Sequence, residues 1–271
     1  MKEFSLSKKV VLISGANGLI GTEISDALAS ANASIVLLDN SPIKTLIKLE
    51  SKLKKKFKIN IRSFSCDISN QVETKKCIKK IISHFGKIDV LINLAAIDAK
   101  VDIKKNKTKK MVFHNFPLDL WQKSINTNIT GTFIITKIVI KEMLKKKSGN
   151  IINVASTYSL VAPNQNLYKI NSKQTFYKPI DYVATKSVIP NFTRYISTLY
   201  GKKGIRANTI VPHGVIEKAS PAFKKNFSRL SPIGRICDKK ELRGPFIFLS
   251  SEASSYMNGS LFIVDGGWTA W

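Results

Sequence analysis

Tyr182 and Lys186 stand four residues apart in the stretch DYVATKSV, 181–188. On a helix that spacing puts both side chains on one face, one turn apart. An ammonium held near a phenol favours the phenolate, which matters only where a reaction needs the phenol's proton. A second cluster, SGANGLIG at 14–21, sets Gly15, Gly18 and Gly21 at three-residue spacing directly after an apolar run. A glycine turn leading from a strand into a helix lets backbone approach a pyrophosphate at the helix N-terminus. Eighteen residues past Gly21 stands Asp39, at the end of the next apolar run. A carboxylate there would accept hydrogen bonds from an adenosine ribose. Asn40 follows it, with no arginine to receive a ribose 2′-phosphate. These residues predict a dinucleotide cofactor, NAD(H) in preference to NADP(H).

The elements that must position these residues are legible as an alternation. Apolar runs at 8–14, 33–39, 59–66, 89–95, 149–156, 205–211 and 260–267 read as strands buried on both faces of a parallel sheet. Helical patterns lie between them, including one long helix over LDLWQKSINTNITGTFIITKIVIKEMLKKK and one over IDYVATKSVIPNFTRYISTLYGKKG. Repeated strand–helix–strand order implies right-handed crossovers. The expected fold is α/β: a single domain over residues 1–271, with a doubly wound parallel sheet of about seven strands and helices on both faces.

Composition sets the outer bounds. With 271 residues, 44% of them hydrophobic, the chain can build an ordinary core without disulfides or metals. Cys66, Cys77 and Cys237 form no Cys-x-x-Cys pair, and His84, His114 and His213 are scattered, so no metal site is expected. No apolar run approaches the ~20 residues of a membrane span, and the N-terminus has no signal-peptide pattern. A cytoplasmic location is the expectation. The net charge of +26 comes from 38 Lys and only 6 Arg, spread over many segments. Recognition of phosphates and bases favours Arg. The charge therefore reads as solvated surface that attracts anionic ligands, and nucleic acid is not expected as a partner.

Nine segments in order carry a resemblance: SGANGLIG, Asp39, CDIS (66–69), NLAA (93–96), NITG (128–131), INVAS (152–156), YVATK (182–186), IRANTIVPHG (205–214) and FIVDGGW (262–268). Along nearly its whole length the chain resembles the short-chain dehydrogenases/reductases, whose Rossmann-like fold agrees with the alternation above. The resemblance implies that Tyr182 is the acid/base toward a carbinol or carbonyl oxygen. It implies that Lys186 lowers the tyrosine's pKa and reaches the nicotinamide ribose. Ser156 would hydrogen-bond the reacting oxygen, and Asn128, in the long fourth helix, would support a water-linked proton path to Lys186. Asp67 would contact the adenine and Asn93 would tie the central strands. The same resemblance puts Gly15, Asn17, Gly18, Leu19, Ile20, Gly21, Asp39, Asn40, Asp67, Ile68, Asn93, Ala95, Tyr182, Lys186, Pro212, Gly214 and Val215 at the cofactor. It further implies a homo-oligomer, tetramer or dimer, paired through the long helices before and after the fifth strand.

The chain also departs from the family pattern. Leu19 stands where the short form has its second glycine, His213 replaces a glycine after Pro212, and Ser14 and Leu94 are milder changes. Two segments read as insertions, 98–116 and 157–179. The second joins Ser156 to Tyr182 and carries Asn164, Gln165, Asn166, Tyr168, Asn171, Gln174, Phe176 and Tyr177. Amides can bond hydroxyls and rings can cover a sugar's apolar face, so this segment is expected to wall the substrate. With their neighbours, the insertions resemble the reductases of flagellin modification and acidic-sugar biosynthesis. The leading function is NAD-dependent interconversion of a secondary alcohol and a ketone on a sugar-like substrate. Reduction of 3-oxoacyl chains on an acidic carrier protein is an alternative. A catalytically silent cofactor- or nucleic-acid-binding protein is another, and the intact Asn128, Ser156, Tyr182 and Lys186 speak against it.

Overall fold

Seven strands form one parallel sheet in a computed structural model that describes residues 2–98, 112–170 and 172–271. They are β1 (Val10–Ser14), β2 (Ser34–Asp39), β3 (Ile61–Ser65), β4 (Val90–Asn93), β5 (Gly149–Val154), β8 (Ile205–Pro212) and β9 (Leu261–Val264). The spatial order is β3-β2-β1-β4-β5-β8-β9, so the winding direction reverses between β1 and β4. A crevice opens at such a switch point, beyond the carboxyl ends of the strands. Every expected strand is present. A two-stranded antiparallel ribbon, β6 (Lys169–Ile170) with β7 (Lys173–Gln174), was not foreseen.

The strands read as continuous apolar runs because both faces are covered. In β1, Val11 and Ile13 join the core beneath α1 (Leu19–Ser30) and α8 (Arg243–Ser250), while Val10 and Leu12 join the opposite core. Ile35 and Leu37 of β2 likewise face one layer, and Val36 and Leu38 the other. This is the two-residue period of a pleated strand, doubled by helices on each side. The second core is closed by α3 (Gln71–Phe85), α5 (Thr132–Lys146) and α6 (Ile180–Tyr200) through Ile78, Ile81, Ile135, Val139 and Ile196. Each such side chain, fully buried, contributes roughly 1.5–3 kcal/mol. The remaining helices are α2 (Ile43–Lys56), α4 (Leu118–Ser124) and α7 (Pro221–Leu230), the last without a counterpart in the sequence expectation.

The expected long helix before β5 is not uniformly α-helical. Between α4 and α5, residues Ile125–Gly131 form a π-helical stretch that contains Asn128. Such wider turns are rare and are frequent at functional sites. Of the first expected insertion, 99–111 lies outside the described residues. The second, 157–179, is ordered by two short 3₁₀ turns and the β6–β7 ribbon.

Candidate active site

A cleft of about 620 Å³ runs across the carboxyl ends of the strands, from the glycine turn after β1 to the start of α6. The turn is built by Gly15, whose φ of +76° and close approach to the Ala95 backbone admit no side chain: a Cβ there would lie 2.8 Å from the Ala95 Cα. At Gly21 a Cβ would meet the Gly15 carbonyl at 2.1 Å, so the helix can press onto the turn only as glycine. Gly18 begins α1 without a side-chain cap, so the first N–H groups of the helix are left for an incoming acceptor. Gly15, Asn17, Gly18, Leu19, Ile20 and Gly21 all line the cleft.

Asp39 closes this half. Its carboxylate accepts from the Asn17 backbone N–H (3.1 Å), the Ser41 N–H (2.9 Å) and the Ser41 hydroxyl (2.6 Å). Those bonds fix it at the end of β2, and Asn40, Asp67, Ile68, Ala95, Pro212, Gly214 and Val215 complete the lining. Donors at a helix terminus, a carboxylate one strand away and apolar walls between them fit a dinucleotide, for which Gly18–Gly21 would hold phosphates and Asp39 a ribose. Asn93, expected at the cofactor, is not among the residues lining the cleft. It is buried between strands, donating to Asn153 (2.7 Å) in its register-matched position on β5 and to Thr136 (2.8 Å). Its amide thus bridges β4 to β5 and α5.

The chemical end of the cleft is formed where β5 meets α6. Ser156, two residues past β5, lines the cleft beside Tyr182, and its hydroxyl works to lower the pKa of that phenol. The Ser156 oxygen accepts from the Tyr158 N–H at 3.3 Å, so its hydroxyl hydrogen is not used in that bond. Tyr182 sits in the first turn of α6, and Lys186, one turn on, is buried and donates to the Val154 carbonyl at 2.7 Å. Burial depresses the Lys186 ammonium to about 8; Asp98 opposes this and Lys178 adds to it.

The expected lowering of the Tyr182 pKa is not present in the protein alone. Burial raises it, the Asp98 carboxylate and Tyr158 add to the rise, and only the Ser156 hydroxyl opposes them. Lys186 does not offset this burial: its ammonium is turned onto Val154, 5.8 Å from the centre of the tyrosine ring. Asn128 stands in the π-helical stretch before α5. It does not line the cleft; its side chain accepts from the Ile97 N–H (2.7 Å) and donates to the Ile97 carbonyl (3.0 Å) and to Thr185 (3.0 Å). It thus clasps the loop after β4 to α6 one residue before Lys186.

Several lining residues had no signal in motif spacing. Tyr158, Leu167, Tyr168 and Lys178 come from the 157–179 segment, Asp98 from the loop after β4, and Phe223 and Phe227 from α7. Three of the segment's amides are taken by the segment itself, and Asn171 lies outside the described residues. Gln174 donates to the carbonyls of Gln165 (2.9 Å) and Phe176 (2.5 Å), Gln165 accepts from the Lys178 N–H (3.0 Å), and Asn164 caps its own turn. Gln165, Gln174 and Asn164 thus hold the segment, and Tyr158, Tyr168 and Lys178 are left for the cleft; Phe176 and Tyr177 do not line it. His213 is buried against Trp268, Phe227 and Tyr158, with ring centroids 4.2, 5.3 and 5.8 Å away, and bonds Thr157 through Nδ1 at 2.5 Å. Burial holds its pKa down at about 4, so it is neutral near pH 7. Among the described residues no group of three or more His, Cys, Asp or Glu could hold a metal ion. No helix there is long and apolar enough to cross a membrane.

A family model described as enoyl-(acyl carrier protein) reductase matches residues 15–269. The chain is 29% identical over 280 residues to the 2-dehydro-3-deoxy-D-gluconate 5-dehydrogenase of Pseudoalteromonas atlantica, covering 99% of this chain and 98% of that one. It is 25% identical over 270 residues to a 3-oxoacyl-(acyl-carrier-protein) reductase of Aquifex aeolicus, covering 98% and 99%. Among solved structures, a gluconate 5-dehydrogenase from Burkholderia cenocepacia in complex with NADP and tartrate superposes with a TM-score of 0.83, at 27% identity and with 99% and 98% coverage.

Proposed function

The chain belongs to the short-chain dehydrogenase/reductase family and is an oxidoreductase acting on CH–OH groups, and from that premise we propose that it interconverts a secondary alcohol and a ketone on a sugar-like substrate with NAD(H). The observation that carries this reading is the convergence of Ser156, Tyr182 and Lys186 at the end of a cleft that begins with the Gly15–Gly21 turn and Asp39.

In reduction, the protonated Tyr182 phenol gives its proton to the carbonyl oxygen while the Ser156 hydroxyl holds that oxygen beside it. In oxidation the same two groups act in reverse. Bound nicotinamide supplies or receives the hydride. Lys186 stands at the base of this end and supplies positive charge to the phenolate as it forms; Asn128 and Thr185 hold its helix turn in place. Asp39 supports NAD(H): a carboxylate fixed by three hydrogen bonds cannot swing away from a ribose phosphate. The dehydrogenases similar to this chain and the aromatic wall of Tyr158, Tyr168 and Phe223 support a sugar-like substrate.

The test is a screen of NAD+ reduction and NADH oxidation over sugars, sugar acids, nucleotide sugars and acyl thioesters. Turnover of sugars supports the reading; turnover of carrier-bound 3-oxoacyl thioesters alone replaces it with the carrier-protein reading, which the Aquifex relative and the net charge of +26 favour. The reading includes a homo-oligomer. Phe133, Val188, Tyr195 and Leu199 are exposed on α5 and α6, beside an apolar groove formed by Ile129, Phe133, Val188 and Phe192.

A further inference from the structure

Among the described residues, Lys178 is the cation that faces the substrate half of the cleft. The charged side chains lining the cleft, among the described residues, are Asp39, Asp67, Asp98, Lys178 and Lys186. Asp39 and Asp67 belong to the cofactor half, and Lys186 is committed to the Val154 carbonyl. Lys178 is positioned from its backbone, where its N–H donates to Gln165, and its side chain is only 11% exposed. Its ammonium lies 4.1 Å from the centre of the Tyr182 ring and 5.8 Å from that of Tyr158. There it is held by both carboxylate oxygens of Asp98, at 2.6 and 2.7 Å.

A largely buried ammonium beside the acid/base needs an anion, and Asp98 supplies one in the protein alone. Asp98 itself is 47% exposed, on the loop that leaves β4. An ion pair with one partner so exposed is weak, so another carboxylate can take the place of Asp98 at small cost. We propose that Lys178 is the anion-recognition residue of the substrate half, that the substrate is a sugar bearing a carboxylate, and that this carboxylate displaces Asp98 from Lys178. An anion bonded to this ammonium at about 2.8 Å lies beside the Tyr182 ring. The reacting carbinol is then only a few carbons from the carboxylate. The field of Lys178 reaches both Lys186 and His213, lowering the proton affinity of each, which agrees with its central position. This inference rests on the sugar oxidoreductase reading and names its substrate class.

The test compares two probes of one carbon skeleton, D-gluconate and D-glucitol, which differ in carboxylate against hydroxymethyl. Binding to the NADH-loaded enzyme is followed by tryptophan fluorescence, since Trp268 packs on His213 in the cleft wall, and NAD-coupled turnover is followed in parallel. Gluconate should bind at least tenfold tighter than glucitol. Lys178→Met should abolish that preference, while Asp98→Asn, which frees the ammonium, should keep or increase it. A pair that merely clamps the loop predicts instead that both variants weaken gluconate together. That result, or equal affinity of the two probes for the unaltered enzyme, overturns the inference. Turnover of neutral polyols without a charge preference overturns it while the oxidoreductase reading stands. A Lys178-dependent gluconate preference without turnover of any sugar overturns that reading and keeps the anion site.

Discussion

The ammonium of Lys178 lies 4.1 Å from the centre of the Tyr182 ring, closer than that of Lys186 at 5.8 Å. Two cations therefore flank the phenol, yet burial and the Asp98 charge leave its proton held more tightly than in water. At neutral pH the free enzyme carries a phenol, the form that donates to a carbonyl. The sign follows for each direction. Ketone reduction needs the protonated form, so its kcat/KM should be flat through neutral pH. Alcohol oxidation needs the phenolate, which is scarce below a raised pKa, so its kcat/KM should climb with pH by up to about tenfold per unit. Initial rates in both directions from pH 6 to 9 check this. An oxidation profile that is flat across the range would assign the base role elsewhere.

Tyr182→Phe removes the proton donor and keeps the ring that Lys178 faces. Turnover should fall by roughly 10²–10⁴-fold, the ordinary worth of general acid catalysis. NADH affinity should survive, because the glycine turn and Asp39 lie at the other end of the cleft. Stopped-flow turnover and fluorescence titration read the two quantities separately.

Asp39→Ser is expected to relax cofactor choice. It removes the carboxylate that accepts from Asn17 and Ser41 and would oppose a 2′-phosphate. The ratio of NADPH to NADH affinity should rise at least tenfold. Equal affinity for both nucleotides in the unaltered protein would refute the assignment of selectivity to Asp39.

The residues that could be read in advance were those whose spacing is fixed by backbone geometry. Gly15 and Gly21 are required by contacts of 2.8 and 2.1 Å, and the Tyr182–Lys186 pair by one helical turn. The alternation of buried strands revealed the sheet for the same reason. What escaped depended on side-chain choices made in three dimensions. Gln165 and Gln174 look like substrate ligands in a polar segment, but backbone groups of that segment take their amides. Lys178 is one lysine among 38 until the fold brings it over Tyr182. Asn93 and Asn128 were recognisable as motif residues, yet their buried hydrogen bonds decide that one ties strands and the other clasps a loop.

His213 gives the folded protein an acid limit. Its pKa is about 4 in the fold against an ordinary 6.5, because its ring is buried among Trp268, Phe227 and Tyr158. A base with a lowered folded pKa binds fewer protons in the fold than in the unfolded chain. Stability is therefore complete above about pH 6.5 and declines as pH falls toward 4, by up to about 3 kcal/mol from this group. Urea unfolding at pH 7 and pH 4.5 should show a smaller decline for His213→Gln than for the unaltered protein. Equal declines would place the acid sensitivity in other groups.

The exposed apolar residues on α5 and α6 predict that the protein is not a monomer. Phe133 is 48% exposed and Tyr195 is 66% exposed, beside the Ile129–Phe192 groove. Light scattering at micromolar concentration should give a dimer or tetramer. Phe133→Glu puts a charge into the apolar contact and should shift the mass toward one chain.

The 157–179 segment should govern substrate use without governing cofactor binding. It is tied to α7 by Asn226, which donates to the carbonyls of Leu167 (3.3 Å) and Lys169 (2.8 Å). Leu167 is buried with Phe227 and Trp268, and the Tyr168 ring stands edge-on to Phe176 at 4.9 Å. The segment is thus a packed wall, and its cleft-facing residues lie at the Tyr182 end. Replacing 163–175 with a short glycine-containing turn removes Leu167 and Tyr168 together and uncovers Phe227. NADH affinity should hold, since Gly15–Gly21 and Asp39 are untouched, while kcat/KM for the best sugar-like substrate should fall at least tenfold, about 1.4 kcal/mol of transition-state binding. Because the deletion also exposes core surface, Tyr168→Ala serves as the milder variant and should lower kcat/KM in the same direction by a smaller factor. Unchanged kcat/KM in a folded, NADH-binding deletion variant would show that the wall does not touch the substrate.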